Sequence, residues 1–323
     1  MRRFFSSFLA GLCLMTFVSN CDVNHRHATS STSQEPPKVV LITVDGVRWQ
    51  EIFGGTDPLL RRGEKISPED LLPNLHKYFV EGGEVFGERS SVFASGTNHI
   101  SLPGYLEMMR GFPTEDCVTN FCEPRLETTL LDHFTRAAVF SSWDTVRKST
   151  TSDPDRFVIN SGRNYRSAAY ESLRLRDDRD FDCYVGHLDY RPDEFTMVSV
   201  RDYISHEKPQ FLWASFGDTD EYAHMGNYDG YITALKNVDR YVGEMIESYG
   251  DDTIFVVTTD HGRSQDWRHH GYDLESSRIW LMIRGRGVPH IGHVDLGRKS
   301  SLSDVLPTVL SVTSGNPEKN SFI

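Results

Sequence analysis

The stretch KVVLITVDG (residues 38–46) decides the fold. From Val39 to Val44 it runs through branched, mostly apolar side chains with no polar face. A strand covered on both sides within a parallel sheet reads in this way. Similar runs follow at AAVFSS (137–142), FLWASFGD (211–218), TIFVVTTDHG (253–262) and RIWLMIRG (278–285). Between the third and fourth of these, Ile232, Leu235, Val238, Val242, Met245 and Ile246 keep the three-and-four spacing of an amphipathic helix, and Gly250 ends it. Strand-helix-strand alternation predicts an α/β fold with a mainly parallel central sheet. In such sheets, functional residues collect just beyond the carboxyl ends of the strands. Asp45, Asp218 with Asp220, and Asp260 with His261 each stand directly after an apolar run.

Composition frames this reading. The chain has 323 residues, 38% hydrophobic and 25% charged, which is globular in character and enough for a sizeable core. A net charge of −12 argues against a nucleic-acid polymer as partner. The first twenty residues differ from the rest: Arg2 and Arg3 precede an apolar run from Phe4 to Val18, and Val18-Ser19-Asn20-Cys21 follows. This pattern predicts a lipoprotein-type signal peptide over 1–20 with lipidation at Cys21, simple secretion with nearby cleavage being the alternative. Residues 21–37 then form a flexible tether and 38–323 the main domain. The expected location is the cell envelope, lipid-anchored at a bacterial membrane and facing the periplasm or exterior. In such an oxidising compartment Cys117 and Cys122 can close a local disulfide, and Cys183 is left as a buried thiol. The charged stretch from Asp153 to Asp193 is expected to form a small inserted lid, near 153–200.

Carboxylates and imidazoles are the ligands that borderline divalent metals accept. In DTDEYAH, Asp220 and His224 lie four residues apart, so one helical turn points both the same way. Asp45, Asp260 and His261 stand at other strand ends, and the following loop adds His270, with His269 as its alternative. Six ligands would serve two metal ions.

These residues resemble the alkaline phosphatase superfamily, most closely its type I phosphodiesterase/nucleotide pyrophosphatase branch. The resemblance is carried by LITVDGVR, DTDEYAH, TTDHG, HHGYD and LSDVLPTVL, in that order over roughly residues 38 to 310. It implies a three-layer sandwich around the sheet. It also implies that Asp45, Asp260, His261 and a nucleophile hold one metal, while Asp220, His224 and His270 hold the other. Zinc is the expected metal and manganese fits the same ligands. The implied activity is hydrolysis of a phosphoric ester, a small molecule or lipid head group, through a phosphoseryl intermediate. A phosphomonoesterase or a phosphotransferase/mutase shares the same ligands. A metal-stabilised surface lipoprotein without catalysis is the reading from another class.

Two frames compete for the nucleophile. In SLPGYLEMMRG (101–111), Ser101 is placed with Pro103 and Gly111 in register; in SGTNH (95–99), Ser95 or Thr97 is placed instead. Ser101 is preferred, although a serine at a helix start also serves as an N-cap. In the Ser101 frame, Gly104 stands where the branch has a substrate-contacting Asn, so Asn98 is the candidate replacement. Arg48, Arg263 and Arg268 flank the motifs and are candidates for contacting substrate phosphate. Asp218 and Thr219 are expected to support the ligand loop. Tyr105 stands where a sulfatase would carry arginine, which disfavours sulfatase chemistry.

Overall fold

A computed structural model describes residues 36–61, 63–88, 91–173, 175 and 188–323. The expected signal peptide, Cys21, the tether up to Glu35, and Cys183 lie outside the described residues.

The strands of the central sheet are β1 (Val39–Val44), β2 (Glu84–Phe86), β3 (Ala137–Ser141), β4 (Val158–Ser161), β5 (Tyr165–Arg166), β6 (Phe211–Phe216), β7 (Ile254–Thr258), β8 (Leu281–Arg284) and β9 (Gly292–His293). Their order across the sheet is β9-β2-β8-β7-β1-β6-β3-β4-β5. β1 pairs in parallel with both β6 and β7, and β6 and β4 flank β3 in parallel. β8 runs antiparallel between β7 and β2.

All six residues of β1 are buried, as its unbroken apolar pattern requires. Val40, Ile42 and Val44 join one apolar cluster while Val39 and Leu41 join another, so alternate side chains feed two cores, one on each face of the sheet. The helix Tyr228–Tyr249 closes the first core through Ile232, Leu235, Val238, Val242, Met245 and Ile246, the residues its periodicity marked. The mainly parallel α/β sandwich is therefore the observed fold. The run RIWLMIRG divides: Arg278–Ile279 pairs with Val92–Phe93 in a small second sheet, and only Leu281–Arg284 enters the large one.

The span expected as a lid is built differently. Val158–Ser161 is an inner strand of the sheet, and the helix Asp193–His206 sends Met197, Val200, Tyr203 and Ile204 into the core. Near its C-terminal end the span's charges turn inward: Arg191 and Asp193 are buried and satisfied internally, while Asp189 and Tyr190 line the cavity over the candidate ligands. Arg191 donates to Asn160 Oδ1 (2.6 Å) and Thr196 Oγ1 (2.9 Å), and Asp193 Oδ1 accepts from Ser142 Oγ (2.6 Å) and the Gly217 amide (2.7 Å). Residues 176–187 lie outside the described residues. No described helix is long and apolar enough to cross a membrane.

Candidate metal centre

Three adjacent parallel strands, β7, β1 and β6, end side by side, and each turns directly into acidic or histidine residues. The Asp45 amide donates to Phe216 O (2.8 Å), carrying the pairing of β1 with β6 one residue past the strand. Gly46 then adopts a left-handed φ of 60°, and a Cβ there would overlap Arg263 and Asp220. Its amide donates to Asp260 Oδ1 (3.1 Å), while Thr219 Oγ1 donates to the Asp45 carbonyl (2.6 Å). These contacts tie the three strand ends together. They also give Thr219 the supporting place expected of it.

The helix Ser101–Arg110 faces this junction. Ser101 is its first residue and Ile100 its N-cap, so the serine side chain is not used for capping. Its Oγ lies 3.3 Å from Asp45 Oδ1 and 3.3 Å from His261 Nε2. His261 Nε2 is in turn 3.3 Å from Asp45 Oδ1 and 3.6 Å from Asp260 Oδ2. Tetrahedral ligands at about 2.0–2.1 Å from a zinc ion stand about 3.3–3.4 Å from each other. Asp260 Oδ2 is buried with no hydrogen-bond partner, the mark of an atom meant for a cation. Asp45, Asp260, His261 and the Ser101 hydroxyl therefore fit one divalent ion.

A second group adjoins it. His224 Nε2 lies 3.2 Å from Asp220 Oδ2 and 3.1 Å from His270 Nε2, and His270 Nε2 lies 3.7 Å from Asp220 Oδ1. Asp220, His261 and His270 bring one donor atom each close enough together to fit a divalent ion, and the exposed His224 adjoins them. The His261 and His270 rings stand 4.2 Å apart between centroids, so the two groups share a wall.

Electrostatics point the same way. Burial, with the nearby Asp45 charge, pushes the Asp260 carboxyl up to about 8. Burial works against charge on His261, but Asp260 and Asp45 outweigh it and raise its imidazole to about 9. Burial, reinforced by His261, lowers His270 to about 2, leaving a neutral imidazole ready to ligate. Two buried carboxylates beside a histidine recruit positive charge, and a metal ion would supply it.

Other sequence candidates resolve by position. Ser95 Oγ donates to Glu107 Oε1 (2.5 Å) and Thr97 is exposed; neither lines the cavity over the ligands. His269 is exposed and bonded to Asp266 Oδ2 (2.5 Å), leaving His270 as the inward histidine. Arg48 is corrected. It is buried against Glu51, whose carboxylate also accepts from Tyr228 (2.9 Å) and Tyr231 (3.2 Å), so it belongs to a core ion pair. Asn98 is corrected too: its Nδ2 donates to Val118 O (2.8 Å) beneath the loop closed by the Cys117–Cys122 disulfide. Arg263 pairs with Asp220 instead of facing substrate, and Arg268 is exposed away from the cavity. Asp218 accepts from Tyr190 OH (3.0 Å), a loop support as expected.

Gly104 has a structural cause. A Cβ there would overlap the Asp260 carbonyl, so the helix approaches β7 only because the residue is glycine. Tyr105 was missed as a site residue, and its OH donates to Asp45 Oδ2 (2.9 Å). Its position four residues after Ser101 was the available signal. The ligands open into a cavity of about 650 Å³ whose far wall carries Asn120, Trp143, Lys148 and Tyr190, while Glu221 lies beside the metal ligands.

A family model described as Metalloenzyme superfamily matches residues 188–315, a span that includes Asp220, His224, Asp260, His261 and His270. A phosphopentomutase of Alkaliphilus oremlandii (strain OhILAs) is 30% identical over 129 residues, covering 38% of this chain and 32% of that protein. The chain thus spans between 20% and 36% of the length of the curated relatives it matches. Among solved structures, a 2-O GAG sulfatase is similar with TM-score 0.58 at 16% identity, covering 87% of this chain and 71% of that one. A Vibrio parahaemolyticus protein described as in the alkaline phosphatase superfamily gives TM-score 0.54 at 16% identity, covering 87% and 67%. A phosphonate monoester hydrolase from Silicibacter pomeroyi gives 0.56 at 15%, covering 87% and 73%.

Proposed function

We propose that this chain, built on the fold of the alkaline phosphatase superfamily and carrying its metalloenzyme segment, is a two-metal phosphoric ester hydrolase of type I phosphodiesterase character. The observation that carries the reading is the placement of Ser101 Oγ among Asp45, Asp260 and His261, at the spacing a shared divalent ion requires. Asp45, Asp260 and His261 with Ser101 would hold one ion, and Asp220, His224 and His270 the other. When bound, two such ions, zinc by this nitrogen-and-oxygen set or manganese, supply a lowered pKa for an attacking hydroxyl and compensation of phosphoryl charge.

The chain's own residues do the rest. Ser101 Oγ forms the bond to phosphorus as the bond to the leaving oxygen breaks, giving a phosphoserine and an alcohol. Water then attacks the phosphoserine, releasing phosphate or its monoester and restoring the hydroxyl. Tyr105 holds Asp45 through its OH, fixing the carboxylate beside the nucleophile. The start of a ten-residue helix favours the negative phosphoryl group placed on Ser101. The test is hydrolysis of bis-p-nitrophenyl phosphate and p-nitrophenyl phosphate by zinc- and manganese-loaded protein. Preference for the diester is expected, and no cleavage of either ester sinks the reading.

A second reading, phosphoryl transfer to an acceptor other than water, is favoured by the segment shared with the phosphopentomutase. It predicts transfer between sugar hydroxyls without release of inorganic phosphate. For location, the reading keeps Cys21 as a lipid anchor with the domain outside the cytoplasm. Cys21→Ala would then move the protein from the membrane to the soluble fraction, and unchanged partitioning rejects the anchor.

A further inference from the structure

Arg263 is 1% exposed, and its guanidinium is spent in three directions. Nη1 donates to Asp220 Oδ1, Nε to the Trp267 carbonyl, and Nη2 to the Arg268 carbonyl at 2.9 Å. Asp220 follows β6, whereas Trp267 and Arg268 lie in the loop that delivers His270. One side chain therefore joins the two segments that bring Asp220 and His270 together.

The loop depends on that clamp. Trp267 takes a left-handed φ of 54°, a conformation costly for a bulky side chain that persists only where its surroundings hold it. The surroundings are Tyr228 and Tyr231, whose rings meet the indole at 5.2 and 5.9 Å, and the Arg263 donor on the Trp267 carbonyl. The turn also closes on itself, with the Ser264 amide donating to His269 O and the Trp267 amide to Ser264 O, both at 2.8 Å. His270 follows directly. Its reach toward Asp220 and His224 is set by a turn whose two central carbonyls are held by Arg263.

We infer that Arg263 is a positioning residue for the second metal ion alone, setting the Asp220 carboxylate and the His270 loop before the ion arrives. The inference rests on the two-metal reading above. Arg263 lies against Gly46, but the hydrogen bonds that set the first group run elsewhere: the Gly46 amide to Asp260, Ser101 and Tyr105 to Asp45, and the His261 Nδ1 contact to Gly262 O (2.7 Å). Partners outside the ligand set typically shift metal affinity by about 10–100-fold. Only an arginine fork satisfies three acceptors in three directions. A lysine keeps the charge and loses the geometry.

The test is a titration of chelator-treated protein with Zn²⁺ against a competing metallochromic indicator, for wild type, Arg263→Gln and Arg263→Lys, with melting curves alongside. Wild type is expected to bind two ions. Both variants should keep the first affinity and lose about 10–100-fold in the second. If Arg263→Gln does not fold, Arg263→Lys, which retains a cation beside Asp220, carries the same comparison. Two ions with unchanged affinities in the variants would overturn the inference, as would equal weakening of both ions, the mark of a general structural role. A wild type that binds a single ion would instead overturn the two-metal reading beneath it.

Discussion

Ser101 Oγ and His261 Nε2 stand 3.3 Å apart, and each is 3.3 Å from the same oxygen, Asp45 Oδ1. Residues separated by 160 positions in the chain thus close one triangle at the end of β1. Ser101→Ala should lower turnover at least about a thousandfold while metal content by elemental analysis stays at the wild-type level. Ser95→Ala and Thr97→Ala should keep turnover within a few-fold, since neither touches the triangle. If Ser95→Ala abolished turnover and Ser101→Ala did not, the nucleophile would be reassigned.

Gly104 predicts a reversal of an ordinary rule. In an exposed helix, alanine in place of glycine stabilises by about 1 kcal/mol. Here the added methyl would overlap the Asp260 carbonyl, so Gly104→Ala should destabilise by about 1–3 kcal/mol and weaken metal binding. Denaturant unfolding measures the sign. A stabilised variant would show that the helix and β7 are not in this contact.

Arg48 separates a core role from a substrate role. Removing one partner of a buried ion pair leaves the other charge uncompensated, so Arg48→Met should cost about 3–5 kcal/mol of stability. KM for a phosphoric diester should stay unchanged where the variant remains folded. A raised KM with unaltered stability would restore the arginine to the substrate site.

Glu84 gives a pH dependence remote from the metal centre. It is buried on β2, its Oε2 has no partner, and burial raises its carboxyl to about 7. A raised acid costs nothing while both states are protonated. As pH rises from about 4.5 to about 7, the unfolded chain ionises first and the folded state loses stability; above that the full cost remains. Glu84→Gln should therefore match wild type near pH 4.5 and exceed it by about 1–2 kcal/mol at pH 8. Melting temperatures across this range measure the difference. Parallel curves for the two proteins would refute the assignment.

Metal removal should act on stability as well as activity. The buried Asp45, Asp260 and His261 fit a cation, so chelation should lower the melting temperature and Zn²⁺ should restore it. The restored stability should be about 3–4 kcal/mol for each ion bound at metal concentrations of 100 to 1,000 times its Kd. An unchanged melting temperature on complete metal removal would mean that the fold is indifferent to the ions.

What the sequence by itself determined was local. The run from Val39 to Val44 could only be a doubly covered strand, the spacing from Ile232 to Ile246 only a helix with one buried face, and metal-ligand residue types stood just after three such strands. Periodicity and residue chemistry are written along the chain, so the sheet and the gathering of Asp45, Asp220, Asp260, His261 and His270 at its strand ends were legible there. Only the tertiary structure places Ser101, and not Ser95 or Thr97, beside Asp45 and His261, turns His270 rather than His269 toward Asp220, and buries Arg48 and Arg263 in ion pairs. Each choice depends on where a side chain points after segments far apart in sequence have packed. The burial of Arg191 and Asp193 was hidden for the same reason: composition records charge but not whether a partner 31 residues away, as Asn160 is to Arg191, lets that charge be buried.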